Sequence, residues 1–260
     1  MLRPGKQEAG PRGRDGVAAE GPNGEILRPF ALHSITGRYM AKKGRLGQGR
    51  SMGSTRKGAI TPLLPLILFE TMRDMDRPEE VLEGEDLSIS LPRRFGLNDV
   101  VHTQIHRFRE EVRRKRLQGE AEIENLIRLV IRRPDADEIF EEAGRRIARL
   151  AWEERSNTFR SLVRRLPTSL ALHSARRASL RVFRQIAGNG RLQASRRQVG
   201  IRISGSLTAR ADPGGAACAL YAGVLSELME RYTGRGYRPE HPACEARGAE
   251  MCEWTAAVRA

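Results

Sequence analysis

Apolar positions recur every three or four residues through the middle of the chain and every second residue towards its end. From Asn98 the spacing puts Val101, Ile105, Phe108 and Val112 on one face and predicts a helix. A second helical run covers residues 120–132 and stops before Pro134; a third opens at Asp135 with Ile139, Phe140, Ala143, Ile147 and Leu150. Leu162 and Leu166 close a short helix before Pro167, and a longer one runs from Thr168 to a glycine cap at Gly188. The period then shortens. Residues 200–205 alternate apolar with polar and predict a strand, with another just before it, and residues 209–215 read as loop. A helix over residues 216–232 carries Leu220, Val224, Leu225, Leu228 and Met229 and closes at Gly234. Residues 237–246 and 251–258 then read as a hairpin around residues 247–250, with Cys252, Trp254, Ala256 and Val258 on one face. Helices first, then strands, one more helix and a closing hairpin give an α+β class: an antiparallel sheet packed by helices, over residues 98–260.

The preceding residues carry no such period. Residues 1–58 hold twelve of the twenty-six glycines and read as a disordered basic tail. Two readings stand for it: a segment that targets an anionic surface, or an extension without structure, with Met40 and Met52 as later starts. Residues 59–97 are apolar pieces broken by Pro62, Pro65, Pro78 and Pro92, and read as a Pro-rich lead-in packed loosely on the domain. The apolar run over residues 59–69 falls short of the roughly 20 residues a spanning helix needs.

Composition alters this picture little. The net charge is +14, but only five of the 46 basic residues are lysine, a skew that a GC-rich coding bias explains. Residues 1–58 contribute twelve basic and four acidic residues, a net of +8, which leaves +6 across about two hundred residues. No zinc-finger spacing, aromatic platform or helix-turn-helix appears, so nucleic acid is not an expected partner. Three cysteines and no secretory signal argue against a disulfide framework and for a cytoplasmic protein, with peripheral membrane contact left open.

All three cysteines fall within thirty-five residues. Cys244 and Cys252 flank a short turn, and Cys218 sits early in the preceding helix. Thiols converging from a helix and a hairpin suit a metal site; three small buried thiols in a core are the alternative. The fourth ligand has two local candidates, Glu240 and His241, of which His241 has the better zinc chemistry. His102 and His106 stand at i and i+4 without a thiol or acidic partner and read as a solvated pair, and His173 reads as structural or exposed.

From Pro134 to the end, about half of the chain, the sequence resembles the 4-vinyl-reductase domain family, and within it the bacteriochlorophyll-synthesis branch. The residues that carry the resemblance are Ala217-Cys-Ala-Leu-Tyr-Ala-Gly223 and Cys244-Glu-Ala-Arg-Gly248 followed by Cys252-Glu-Trp254. Arg165-Leu-Pro167 and Ala187-Gly-Asn-Gly190 support it. The resemblance implies a fold related to a vesicle-tethering subunit, an apolar ligand cavity, and a structural zinc clasp on Cys218, Cys244 and Cys252. It implies an acidic fourth ligand three residues before the middle cysteine, where this chain has His241. It also implies a chlorophyllide-type tetrapyrrole as the hydrophobic ligand, pigment-synthesis enzymes as partners, and reduction of an 8-vinyl group. No strand-linked GxGxxG and no iron–sulfur cysteine run is present to supply electrons, so the expectation is an accessory or carrier protein. The alternatives are a true reductase with an external donor and an aromatic-sensing domain. A homodimer is left open.

Overall fold

The computed structural model describes residues 59–76, 98–194 and 200–258. The expected basic tail and the later part of the lead-in lie outside them. Eight helices and six strands follow one another among the described residues: β1 (Ala59–Ile60), α1 (Leu63–Met75), α2 (Asn98–Arg114), β2 (Gln118–Gly119), α3 (Glu120–Val130), α4 (Ala136–Glu153), α5 (Asn157–Val163), α6 (Thr168–Ile186), β3 (Arg191–Ala194), β4 (Gly200–Ser204), α7 (Leu207–Ala211), α8 (Ala219–Thr233), β5 (Tyr237–Ala243) and β6 (Cys252–Val258). The four C-terminal strands form one antiparallel sheet in the order β3-β4-β6-β5, and β1 pairs with β2 in a small ribbon. The α+β class therefore holds, with a cysteine–histidine cluster near the C-terminus.

Helix α8 lies at the centre. It packs on α4, α6 and β5, so Leu220, Tyr221, Val224, Leu225, Leu228 and Met229 are all buried. Its approach to α4 is too close for ordinary side chains. A Cβ on Gly144 would lie 2.0 Å from the Leu220 carbonyl oxygen, and one on Gly223 would lie 2.0 Å from that of Glu141. At such a crossing only glycine lets the two backbones meet.

Two expectations change. The lead-in is not loosely packed over its described part. Leu64 and Leu68 are fully buried, and α1 joins the core between α2 and α4. Its prolines do not prevent this: Pro62 is the cap and Pro65 lies in the first turn, where no backbone donor is required. Ion pairs fix the helix laterally, with Arg146 to Asp74 at 2.6 Å, Arg133 to Asp76 at 2.6 Å and Arg109 to Glu70 at 2.7 Å. The expected loop at residues 209–215 begins instead with the short helix α7, which supplies a wall of the site described next.

Candidate metal centre and ligand cavity

Three separate pieces of backbone bring the C-terminal cysteines together. Asp212 organises the first: its carboxylate accepts the N–H of Gly214 at 2.8 Å and of Ala217 at 2.7 Å, bending the chain into the turn that ends at Cys218. Gly215, at φ +84°, completes that turn; a Cβ there would press on the Cys244 sulfur at 3.2 Å. In the second piece, the Cys244 carbonyl accepts the N–H groups of Arg247 and Ala249, both at 3.0 Å, and so folds the β5–β6 connection tightly. The third is the start of β6, where Cys252 pairs with Ile203 and points to the buried face with Trp254.

His241 arrives through an irregularity in β5. Glu240 pairs with Thr255 and Ala243 with Glu253, so three steps on β5 match two on β6. A bulge of this kind re-aims side chains, and here it lays the imidazole on the Trp254 indole, centroids 4.6 Å apart and planes 2° from parallel. Strand β5 lies at the sheet edge, where Pro239 and Pro242 are tolerated.

The ligand atoms of Cys218, His241, Cys244 and Cys252 all lie within 4.8 Å of one another, and the group is positioned to bind a metal ion. The Cys218 and Cys244 sulfurs are 4.0 Å apart, and all three cysteines are free thiols. His241 Nε2 is buried with no hydrogen-bond partner, while Nδ1 faces Arg247 at 3.4 Å. A bound metal ion would satisfy an orphaned ring nitrogen beside three thiols. Glu240, the other candidate for the fourth ligand, is exposed and stands outside the group.

Cys218 and Cys252 pull each other's thiols in opposite directions. A bond from the Cys218 thiol draws Cys252 below the usual thiol range against the opposing effect of burial, with His241 and the Glu245 N–H, 3.3 Å from the sulfur, adding to the pull. The same bond to Cys252, together with burial, pushes Cys218 up. Thr208, whose Oγ1 lies 3.4 Å from the Cys218 sulfur, and Glu245 were not anticipated from the sequence. The Glu245 carboxylate accepts the N–H groups of Gly205 and Ser206 at 2.7 and 2.9 Å, tying the start of α7 to the hairpin turn.

A second feature lies away from this cluster. A cavity of about 900 Å³ opens between α1, α2 and α3, floored by Phe69, Met72, Phe108, Ile123 and Leu126. Four arginines line it; three of them, Arg73, Arg107 and Arg133, are already paired with carboxylates. Arg132 has no ion-pair partner among the described residues. His102 also lines the cavity and is exposed, as are His106 and His173 elsewhere, and none of the three joins the metal-ligating group found among the described residues.

Compared with protein-family models, curated proteins and solved structures, the chain matches none of them. Among the described residues no helix is long and apolar enough to cross a membrane.

Proposed function

We propose that this chain is a tetrapyrrole-binding protein of bacteriochlorophyll synthesis, of the 4-vinyl-reductase kind, with a structural zinc in its C-terminal clasp. The observation that supports it is the meeting of Cys218, His241, Cys244 and Cys252 within 4.8 Å. The three thiols among them are the positions on which the family resemblance rests, and they come from a helix start, a turn and a strand. Zinc suits the set: at ~2.3 Å from sulfur, a tetrahedral ion separates its ligand atoms by roughly 3.8 Å, close to the 4.0 Å between Cys218 and Cys244. Four protein ligands leave no open position, so the zinc holds the start of α8 to the hairpin and takes no part in chemistry.

The ligand would occupy the cavity between α1, α2 and α3. Its volume lies within the ~300–1,000 Å³ of small-molecule sites, and its apolar floor suits a flat hydrophobic ring system. Arg132, without an ion-pair partner among the described residues, would supply a charge for a carboxylate, and His102 would supply an imidazole for a central magnesium. Titration of the purified protein with a magnesium divinyl chlorophyllide tests this. Saturable binding with a shifted absorption band is expected, weakened about tenfold by Arg132→Ala, as loss of one charged contact implies. Absence of binding at micromolar pigment would sink the proposal. Adding NADPH or reduced ferredoxin to the complex separates a carrier from a reductase, since only the latter converts the vinyl group.

A further inference from the structure

The sequence between Glu154 and Asp212 contains thirteen arginines and no aspartate or glutamate. Averaging the charge over the chain conceals this, and the fold leaves five of these arginines exposed on α6 and at the corner that leads into it. On α6, Leu170, His173, Arg177, Arg181 and Arg184 follow one another at intervals of three and four and are all exposed. The opposite face, with Ala171, Ala175, Val182, Phe183 and Ile186, is buried in the core. Arg164 and Arg165 are exposed at the corner where α5 gives way to α6.

Many arginines on the other helices are neutralised. Arg109 meets Glu70, Arg128 meets Glu124, Arg146 meets Asp74 and Arg231 meets Glu227. By contrast, Arg164, Arg165, Arg177, Arg181 and Arg184 have no carboxylate partner among the described residues. At the same corner two large apolar side chains face water, Leu162 at 60 % and Leu170 at 54 % exposure, with the exposed Pro167 between them in sequence. Solvated guanidinium groups alone suit any polyanion. Exposed leucines beside them cost free energy in water and gain it only where an apolar phase lies directly behind the anions.

We propose that the α5–α6 corner and the outer stripe of α6 form a docking face for an anionic phospholipid bilayer. Leu162 and Leu170 enter the acyl boundary, and Arg164, Arg165, Arg177, Arg181 and Arg184 meet the headgroup phosphates. The stripe lies along one helix face, so the helix rests in the plane of the surface. A nucleic acid would use the arginines and leave the leucines idle, and aromatic stacking groups are missing from this stripe.

The test is co-sedimentation of the full chain with vesicles of phosphatidylcholine alone or with roughly one third phosphatidylglycerol. Residues 1–58 carry their own positive charge, so charge-preserving variants decide the matter. Leu162→Gln with Leu170→Gln leaves the net charge unchanged and is expected to reduce partitioning onto anionic vesicles about tenfold, as loss of buried apolar area implies. Arg177→Gln, Arg181→Gln and Arg184→Gln together are expected to reduce it at least as much, at about 0.15 M salt. All five side chains are exposed, so both variants should melt with the parent. Equal partitioning of parent and both variants overturns the proposal, as does equal binding to the two vesicle types. A leucine variant that keeps its vesicle binding while the arginine variant loses binding to vesicles and to single-stranded DNA alike would assign the face to polyanions and overturn it too. None of these outcomes depends on zinc or on a pigment.

Discussion

His241 and Glu240 are adjacent, and only one of them reaches the thiols. The bulge between Glu240 and Ala243 and the stacking on Trp254 turn the imidazole inward and leave the carboxylate in solvent. With zinc in the clasp as proposed, the parent should carry roughly one zinc per chain, and Cys252→Ser is expected to lose it and to lower the melting temperature on the order of 10 °C, since site formation and folding share one free energy. Metal analysis and a thermal melt check both, and unchanged metal content would contradict the assignment. His241→Ala should weaken zinc more than the roughly 10–100-fold typical of an outer-shell partner, read by competition with a chelating dye. The thiols were legible in the sequence because cysteine is rare in this chain and the three lie close together. The choice of imidazole over carboxylate was favoured on chemistry alone, since a bulge leaves no mark on a period of two.

Most of the helices follow their apolar spacing; α1 and the short α7 do not. Helix α1 was hidden because Pro62 and Pro65 resemble breaks, yet a proline at the cap or in the first turn costs no hydrogen bond. The α4–α8 crossing carries a sharp expectation. Gly223→Ala would drive a Cβ against the Glu141 carbonyl at 2.0 Å, and should destabilise by at least about 2 kcal/mol, as overpacking does. Urea unfolding measures it, and a neutral result would mean that the helices separate easily. The ion pairs around α1 respond to acid. The Arg133 guanidinium holds the Asp135 carboxyl below the usual range. Bonds from Arg146 and Arg73 hold Asp74 low despite its partial burial. A lowered folded-state pKa contributes stability above the unfolded value near 3.9 and loses it as pH falls through the folded value. Stability should therefore decline below about pH 4, and less steeply in Arg133→Gln, as denaturation midpoints will show. The effect is small because these groups are largely solvated.

Across the molecule, α8 joins the helical layer to the sheet, and the metal group sits where α8 begins. With zinc in the clasp as proposed, its removal by a chelator is expected to release amide protection first in β5, β6 and the start of α8. The interior of α4, with Ile139, Phe140 and Ile147 buried, should remain protected. Uniform loss of protection would show that the clasp and the helices unfold together. The order of helices and strands, the antiparallel class and the three thiols are written locally, in spacing and residue type, and a linear reading recovers them. Which arginines find carboxylates is different. Arg133 reaches Asp76 across 57 residues of chain, Arg146 reaches Asp74 across 72, and those at 164, 165, 177, 181 and 184 find none among the described residues. The cavity between α1, α2 and α3 likewise depends on helices set apart by folding. Periodicity fixes the face each element buries, but the neighbour it meets there is a matter of long-range packing, and the fourth metal-site side chain and the unpaired basic face both follow from that packing.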